Sequence, residues 1–279
     1  MIDEQMIGKI LFGILLIFGV ALVVVWIKRQ NFINHLDKLE TEIKRSSGPS
    51  FPRTDLHPEV QTYLTRVGVG HQDVSKFVTF EQVVQMWSAP GAKPMDMTAK
   101  QIISTNETEF VWRALSGFAD SVLIADYFIK SVGGMEVKML GTITLANMVG
   151  GETASKGESL RYLAELPLNP DAILFNTALE WTAIDSNSFK VATGQGKARG
   201  EITFKIGDDG LIATASAPSR PYGANAANMT EHPWHGRFWD YQIVQGRTVP
   251  MQADVAWELD TGEFTYWRGK MLNWKAHTH

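Results

Sequence analysis

The first 45 residues show two hydrophobic patterns in succession. Ile10 to Ile27 is a run of 18 residues without a charge. As a helix with a rise of ~1.5 Å per residue it would span about 27 Å, close to the thickness of the hydrocarbon core of a bilayer. Beyond this run, apolar residues recur at steps of three and four, at Phe32, Leu36, Leu39 and Ile43. The sequence therefore predicts a transmembrane helix that continues into an amphipathic stalk.

The residues beside the apolar run favour a retained anchor over a cleaved signal peptide. Asp3 and Glu4 stand where a signal peptide has basic residues, and no small-x-small cleavage site follows the run. Trp26, Lys28 and Arg29 flank its end as interfacial residues do. Because most basic residues follow the run, the positive-inside rule predicts a domain on the cytoplasmic side of the membrane, with the opposite face as the alternative.

From residue 74 onward the pattern changes to short segments rich in Val, Ile, Thr, Phe and Trp, separated by turn residues roughly every ten positions. One helical segment, near 157–176, interrupts them. The prediction is a mainly β protein: a transmembrane helix, then a curved antiparallel half-barrel or sheet with one or two packed helices. We expect an anchor at 1–29, an amphipathic stalk and linker at 30–57 and the β domain at 58–279. One strand is predicted from Met135 to Thr144 and another from Phe238.

Composition narrows the classes of function. Hydrophobic residues make up 44% and charged residues 20%, which is typical of a folded domain. The net charge is -4 and no basic run lies beyond the membrane flank, so we expect no nucleic-acid partner. Cysteine is absent, which excludes disulfides, thiolate metal sites and cysteine nucleophiles.

Several phrases of the β region resemble a bacterial family catalogued only as a domain of unknown function. They are Phe110-Val111-Trp112-Arg113-Ala114, Arg161-Tyr162-Leu163-Ala164-Glu165, Glu180-Trp181-x-x-Ile184-Asp185 and Gly262-Glu263-Phe264-x-Tyr266-x-Arg268-Gly269. The resemblance covers roughly residues 58–275 and implies no particular activity. It implies that the membrane is a bacterial inner membrane, with the domain in the cytoplasm or, as the alternative, on the periplasmic or extracellular face. The predicted number of strands is also similar to that of curved half-barrels that hold lipids or lipoproteins, which is an analogy of fold.

Charged residues on the predicted helix favour a structural role. Arg161 and Glu165 are four positions apart, so they can pair on one helical face. We expect them to form a network with Arg113 or Arg268 that holds the helix to the sheet.

No catalytic, cofactor or metal motif is found. His232-Pro233-Trp234-His235 lacks the helical spacing of a zinc site, and Gly194-Gln195-Gly196 lacks the downstream glycine of a dinucleotide loop. A Gly-x-Ser-x-Gly elbow is also missing. We therefore expect no catalytic residue, no cofactor and no metal.

Three functions remain open, in this order. The first is an accessory subunit of a larger membrane complex, respiratory or photosynthetic, whose partners are the bilayer and other membrane proteins bound through the transmembrane helix and stalk. The second is a carrier or sensor of a lipid-like ligand. Its pocket would be lined by Phe110, Trp112, Leu123 and Val137, with the helix at 160–175 as its lid. The third is an enzyme of unrecognised chemistry, in which Arg113, Asp126, Arg161 and Glu165 would converge in a cleft.

Overall fold

The structure, a computed structural model, describes residues 4–46, 51–70, 73–223 and 229–278. Its helices are α1 (Glu4–Ser46), α2 (Pro58–Arg66), α3 (Gly151–Ala164) and α4 (Pro170–Phe175), with short 3-10 turns at Phe118–Asp120, Leu166–Leu168 and Gly196–Ala198. Its strands are β1 (Phe77–Met86), β2 (Met95–Ser104), β3 (Phe110–Ser116), β4 (Val122–Ile129), β5 (Val132–Met139), β6 (Ile143–Val149), β7 (Glu180–Asp185), β8 (Ser188–Thr193), β9 (Gly200–Ile206), β10 (Ile212–Tyr222), β11 (Thr230–Val244), β12 (Arg247–Leu259) and β13 (Gly262–His277). Residues 47–50 of the predicted linker lie outside the described residues.

Within the described residues, thirteen strands form one antiparallel sheet that curls into a half-barrel. Strands β1 to β6 and strands β7 to β13 are two meanders in which each strand pairs with the next. The first strand pairs with the last, β1 with β13, which joins the meanders into one sheet. The segment from α3 to α4 connects the two edge strands, β6 and β7. Because α3 contacts β4 and β5 on one side and β8, β9 and β10 on the other, the sheet curves around it. We call the face toward α3 the inner face.

The stalk half of α1 packs on the opposite, outer face of the sheet. Phe32, Leu36 and Ile43 are buried against residues of β2, β3 and β4 and form a second small core. The predicted apolar stripe is thus the buried face of an amphipathic helix, and the surface that it packs on is the protein's own sheet. Arg113 on the outer face donates to Asp37 at 2.7 Å and pairs with Glu40 at 3.0 Å. Ion pairs therefore flank the apolar contact.

Two strand boundaries differ from the prediction for local reasons. The segment predicted as one strand from Met135 to Thr144 is two strands, β5 and β6. Leu140 and Gly141 between them have positive φ values of 54° and 68°, which reverse the chain. Strand β11 begins before Pro233, and the register of β10 against it shifts between Ala217 and Arg220. A proline lacks the N–H of a regular ladder, and a bulge accommodates it.

Candidate ligand pocket

The inner face and the α3–α4 segment enclose a cavity of about 110 Å³, which we call the inner pocket. Strands from both meanders line it, so the pocket depends on the curl of the sheet. Its apolar and aromatic lining residues are Met86, Trp112, Ala164, Leu168, Trp234, Phe238, Ala253, Val255, Tyr266 and Trp267. Its polar lining residues are Gln82, Asp126, Arg161, Glu165 and Arg220.

Indole N–H groups in the pocket wall have partners within the wall itself. Trp112 Nε1 donates to Gln82 Oε1 at 2.7 Å, and Trp234 Nε1 donates to the hydroxyl of Tyr266 at 3.1 Å. The guanidinium of Arg220 lies over the ring of Trp234, 4.7 Å from its centroid. The polar edges of these rings are therefore satisfied, which leaves apolar surface for contact with a ligand.

Arg161 is the centre of the charged part of the pocket. It donates to Asp126 of β4 and, at 3.1 Å, to Glu165 one helical turn away. Its guanidinium also lies 5.0 Å from the ring centroid of Trp112. The three paired side chains are only 14–19% exposed. The arginine thus connects helix and sheet in surroundings that contain little water.

Two carboxylates of this region have an oxygen without a hydrogen-bond partner among the described residues, Oδ1 of Asp126 and Oε2 of Glu158. Burial raises the pKa of Asp126 above its ordinary value, opposed by the nearby charges of Arg161 and Arg220. Burial, together with the neighbouring Asp126, raises the pKa of Glu158 to about 8. A protonated Glu158 would leave the carboxylates of Asp126 and Glu165 to balance the two arginines.

The raised pKa of Glu158 predicts a stability that falls with pH. Between the ordinary value of 4.5 and about 8, the folded protein keeps a proton that the unfolded chain releases. This contribution is complete below pH 4.5 and is lost up to about pH 8. Because a glutamine side chain cannot ionise, we expect Glu158→Gln to unfold at higher urea concentration than the wild type at pH 8.5. The difference should be clearly smaller at pH 5.5, where most of this contribution is still present. Equal midpoints at both values would contradict a buried, protonated Glu158.

The segment that covers the pocket is held by a second buried ion pair. Asp171 of α4 accepts from Arg247 Nη2 at 2.7 Å and from the hydroxyl of Ser75 at 2.8 Å. Trp274 Nε1 donates to the backbone oxygen of Leu168 at 2.8 Å. These contacts attach the end of the segment to β12 and β13.

The structure places the four residues predicted to line a pocket at different positions. Trp112 lines the inner pocket. Phe110 and Val137 pack in the core of the inner face without lining the cavity. Leu123 lies on the outer face in the core beneath the stalk. Because strand residues alternate between faces, Leu123 cannot share a face with Asp126 in β4.

The predicted charge network is brought together only in part. Arg161 and Glu165 form their pair, but Arg113 follows the inward Trp112 by one position and lies on the outer face against α1. Arg268 is 55% exposed and lies 3.7 Å from Asp254. Sequence reasoning placed Asp126 with Arg161 and Glu165 only under the enzyme hypothesis, and it did not include Glu158. A single charge within the apolar strand 122–129 was a usable signal for Asp126.

A group of one histidine and two glutamates lies outside the pocket. His235 lies 3.3 Å from Glu258 and 3.2 Å from Glu263, and Arg237 also pairs with Glu263 at 3.0 Å. The group is partly exposed and includes the Arg237–Glu263 ion pair.

Fold and pocket together define a half-barrel protein with an N-terminal apolar helix. The chain belongs to the family of unknown function DUF6920, which matches residues 54–274. This confirms the resemblance to an uncharacterised family. A search among curated proteins gives no match.

Three solved structures are similar over most of the chain. A DUF1329 family protein from Desulfovibrio piger has a TM-score of 0.44 at 11% identity, over 78% of this chain and 91% of the other. A LolA superfamily protein from Nitrosomonas europaea has a TM-score of 0.42 at 10% identity, over 79% and 94%. A putative outer membrane lipoprotein-sorting protein domain from Vibrio parahaemolyticus has a TM-score of 0.42 at 8% identity, over 79% and 91%.

Proposed function

We propose that this protein is anchored in a membrane by α1 and holds a lipid-like amphiphile in the inner pocket. The observation that carries the proposal is the composition of the pocket, in which aromatic walls surround a buried cluster of charges. An apolar chain fits against the walls, and a polar end group fits beside Asp126, whose unpartnered Oδ1 can accept a hydrogen bond.

The course of α1 supports an anchor. Among the described residues one helix is long and apolar enough to cross a membrane, although a signal sequence near the N-terminus would meet the same criterion. This helix continues without a break into the stalk, where Phe32 and Leu36 are buried in the domain. Cleavage after the apolar run would therefore cut a helix that the fold uses. The basic residues after the run favour a cytoplasmic domain.

The size of the pocket limits how a ligand can fit. Pockets that enclose a drug-sized ligand usually measure about 300–1,000 Å³. At about 110 Å³ the inner pocket has room for one end of an amphiphile. The remainder of the amphiphile would extend out of the pocket.

We expect a larger side chain at Ala253 to block this site. Ala253 is half-buried and lines the pocket, so Ala253→Phe places a ring in the cavity. The full chain in phosphatidylcholine nanodiscs is labelled with a diazirine derivative of palmitic acid, and labelled peptides are identified by mass spectrometry. Labelling of peptides from β11 to β13 should fall several-fold in Ala253→Phe. Labelling of α1 provides an internal reference, because α1 meets the same probe in the bilayer.

The matched control is Ala183→Phe, which adds the same ring to a half-buried position on the edge strand β7. It should label like the wild type. Unchanged labelling of β11 to β13 in Ala253→Phe, or an equal loss in both variants, would contradict binding in the inner pocket.

The accessory-subunit hypothesis remains a second candidate because of one observation. The apolar residues of the α1 span are largely exposed in the described protein. Their surface can therefore meet either lipid or another membrane helix. We rank this function second because it gives no role to the inner pocket.

A further inference from the structure

Two loops lie together at one end of the half-barrel. The β3–β4 loop, residues 117–121, follows the last residue of β3, and the β5–β6 turn, residues 140–142, follows β5. Val122 at the start of β4 pairs with Met139 at the end of β5. The backbone N–H of Leu140 donates to the oxygen of Ser121 at 2.6 Å. We call these two loops together the rim.

The rim touches α1 where its apolar run ends. Arg29 Nη1 donates to the backbone oxygen of Asp120 at 3.0 Å. The backbone at Gly141 approaches the helix so closely that a Cβ there would lie 2.6 Å from Arg29 Cα. Arg29 follows Ile27, the end of the apolar run, by two residues, or about 3 Å along a helix axis. The rim therefore lies at the level where the proposed anchor would enter the bilayer.

The rim and the adjacent strand carry exposed apolar side chains, and the polar side chains of the rim are Asp120, Ser121 and Thr142. Phe118 is 93% exposed, Leu140 41% and Ile143 54%. Ala119 and Asp120 have φ values of 50° and 54°, a left-handed conformation that is costly for residues other than glycine. This backbone presents the phenyl ring of Phe118 to the surroundings. Aromatic rings at such a level are typical of proteins that contact the membrane interface.

We infer that the rim inserts into the surface of the phospholipid bilayer, with Phe118 and Leu140 as its apolar tips. The inference rests on the proposed function, because it requires α1 to cross the membrane. It deepens that function by naming the end of the half-barrel that faces the lipid. Within the described residues, Phe118 is almost completely exposed. The lipid that surrounds the apolar surface of α1 would extend to Phe118 at this level.

The inner pocket extends to the same end of the sheet. Met86 lines the pocket, is the last residue of β1, and pairs with Met95 and with Trp267. Trp267 lines the pocket as well. With the rim in the bilayer surface, an amphiphile can pass between membrane and pocket at this end with little exposure of its chain to water.

The absence of cysteine from the sequence makes a site-specific test direct. A single cysteine replaces Phe118, and the environment-sensitive fluorophore NBD is attached to it. The full chain is reconstituted into phosphatidylcholine–phosphatidylglycerol vesicles with or without bromine atoms on the acyl chains. We expect Phe118→Cys to lose roughly half of its emission in brominated vesicles, as a group about 5–10 Å below the surface would.

Two further labels separate the possible outcomes. Ile243→Cys labels an exposed apolar residue near the β11–β12 turn. Gln245 in that turn accepts from the N–H of Ala276, which pairs with Val78 at the far end of β1. The label at 243 should not be quenched.

Phe18→Cys labels the α1 span and should be quenched strongly. Quenching at 18 with none at 118 would overturn the inference and leave the anchor intact, whereas no quenching at 18 would overturn the anchor itself. Equal quenching at 118 and 243 would also contradict insertion through the rim.

Discussion

Replacing Arg161 with alanine is expected to lower the free energy of unfolding by about 3–5 kcal/mol, the usual cost of removing one partner of a buried ion pair. The variant leaves Asp126 and Glu165 without their common partner in a region with little water. It also removes the cation next to the ring of Trp112. Urea unfolding of the full chain in detergent, followed by circular dichroism, measures the difference.

Arg113→Ala is the matched control. Arg113 also pairs with two acidic residues, Asp37 and Glu40, but it is more exposed and lies on the outer face. We expect a loss of about 1 kcal/mol or less, as for other solvent-accessible pairs. Equal losses for the two variants would mean that the cluster around Arg161 is not the buried contact between helix and sheet described above.

The second large effect is expected at Asp171. This carboxylate accepts two hydrogen bonds from Arg247 and two from Ser75, and the side chains of Asp171 and Arg247 are only 3% and 5% exposed. Asp171→Ala should lower the free energy of unfolding by about 3–5 kcal/mol, because it leaves a buried guanidinium without a counter-charge. Hydrogen exchange should be faster in α4 and the preceding 3-10 turn, because the pair joins them to β12.

For comparison, Glu180→Ala removes an ion pair with Arg199 that lies at the surface. It should change the free energy of unfolding by about 1 kcal/mol or less and leave exchange in α4 unaltered. An Asp171→Ala variant with wild-type exchange in α4 would contradict the role of the Asp171–Arg247 pair.

The sequence was sufficient for those parts of the fold that depend on local periodicity. The uncharged run from Ile10 to Ile27 predicted the long apolar helix. Alternating apolar residues and turn signals predicted most of the strands, and the mainly β fold with an N-terminal helix is confirmed. The Leu140–Gly141 turn was missed because one of its two positive-φ residues is a leucine, which ordinarily avoids that conformation.

Contacts between distant segments could not be obtained in the same way. The pairing of β1 with β13 joins the two meanders, although these strands are far apart in the sequence. No local pattern encodes this pairing. The apolar stripe of the stalk predicted that a buried face exists but could not identify the sheet as its partner. Only the assembled half-barrel brings Asp126, Glu158 and Arg161 close to one another.

The prediction of pocket residues was limited in the same way, because it depends on which strands are paired. The choice of Trp112 was consistent with the inner face, whereas Leu123 was chosen without the register that places it on the outer face. Applying alternation from Trp112 through its paired neighbour Asp126 would have assigned Leu123 to the outer face. Knowledge of the pairing was therefore the missing element.

The most direct measurement of ligand binding is to map where the diazirine-bearing palmitic acid attaches to the wild-type chain in nanodiscs. We predict attachment to peptides that contain Trp234 and Tyr266, and excess unlabelled palmitic acid should reduce it. Attachment confined to α1 and the rim, with none in β11 to β13, would show that this lipid probe contacts the protein only in the bilayer and would contradict a ligand site in the inner pocket.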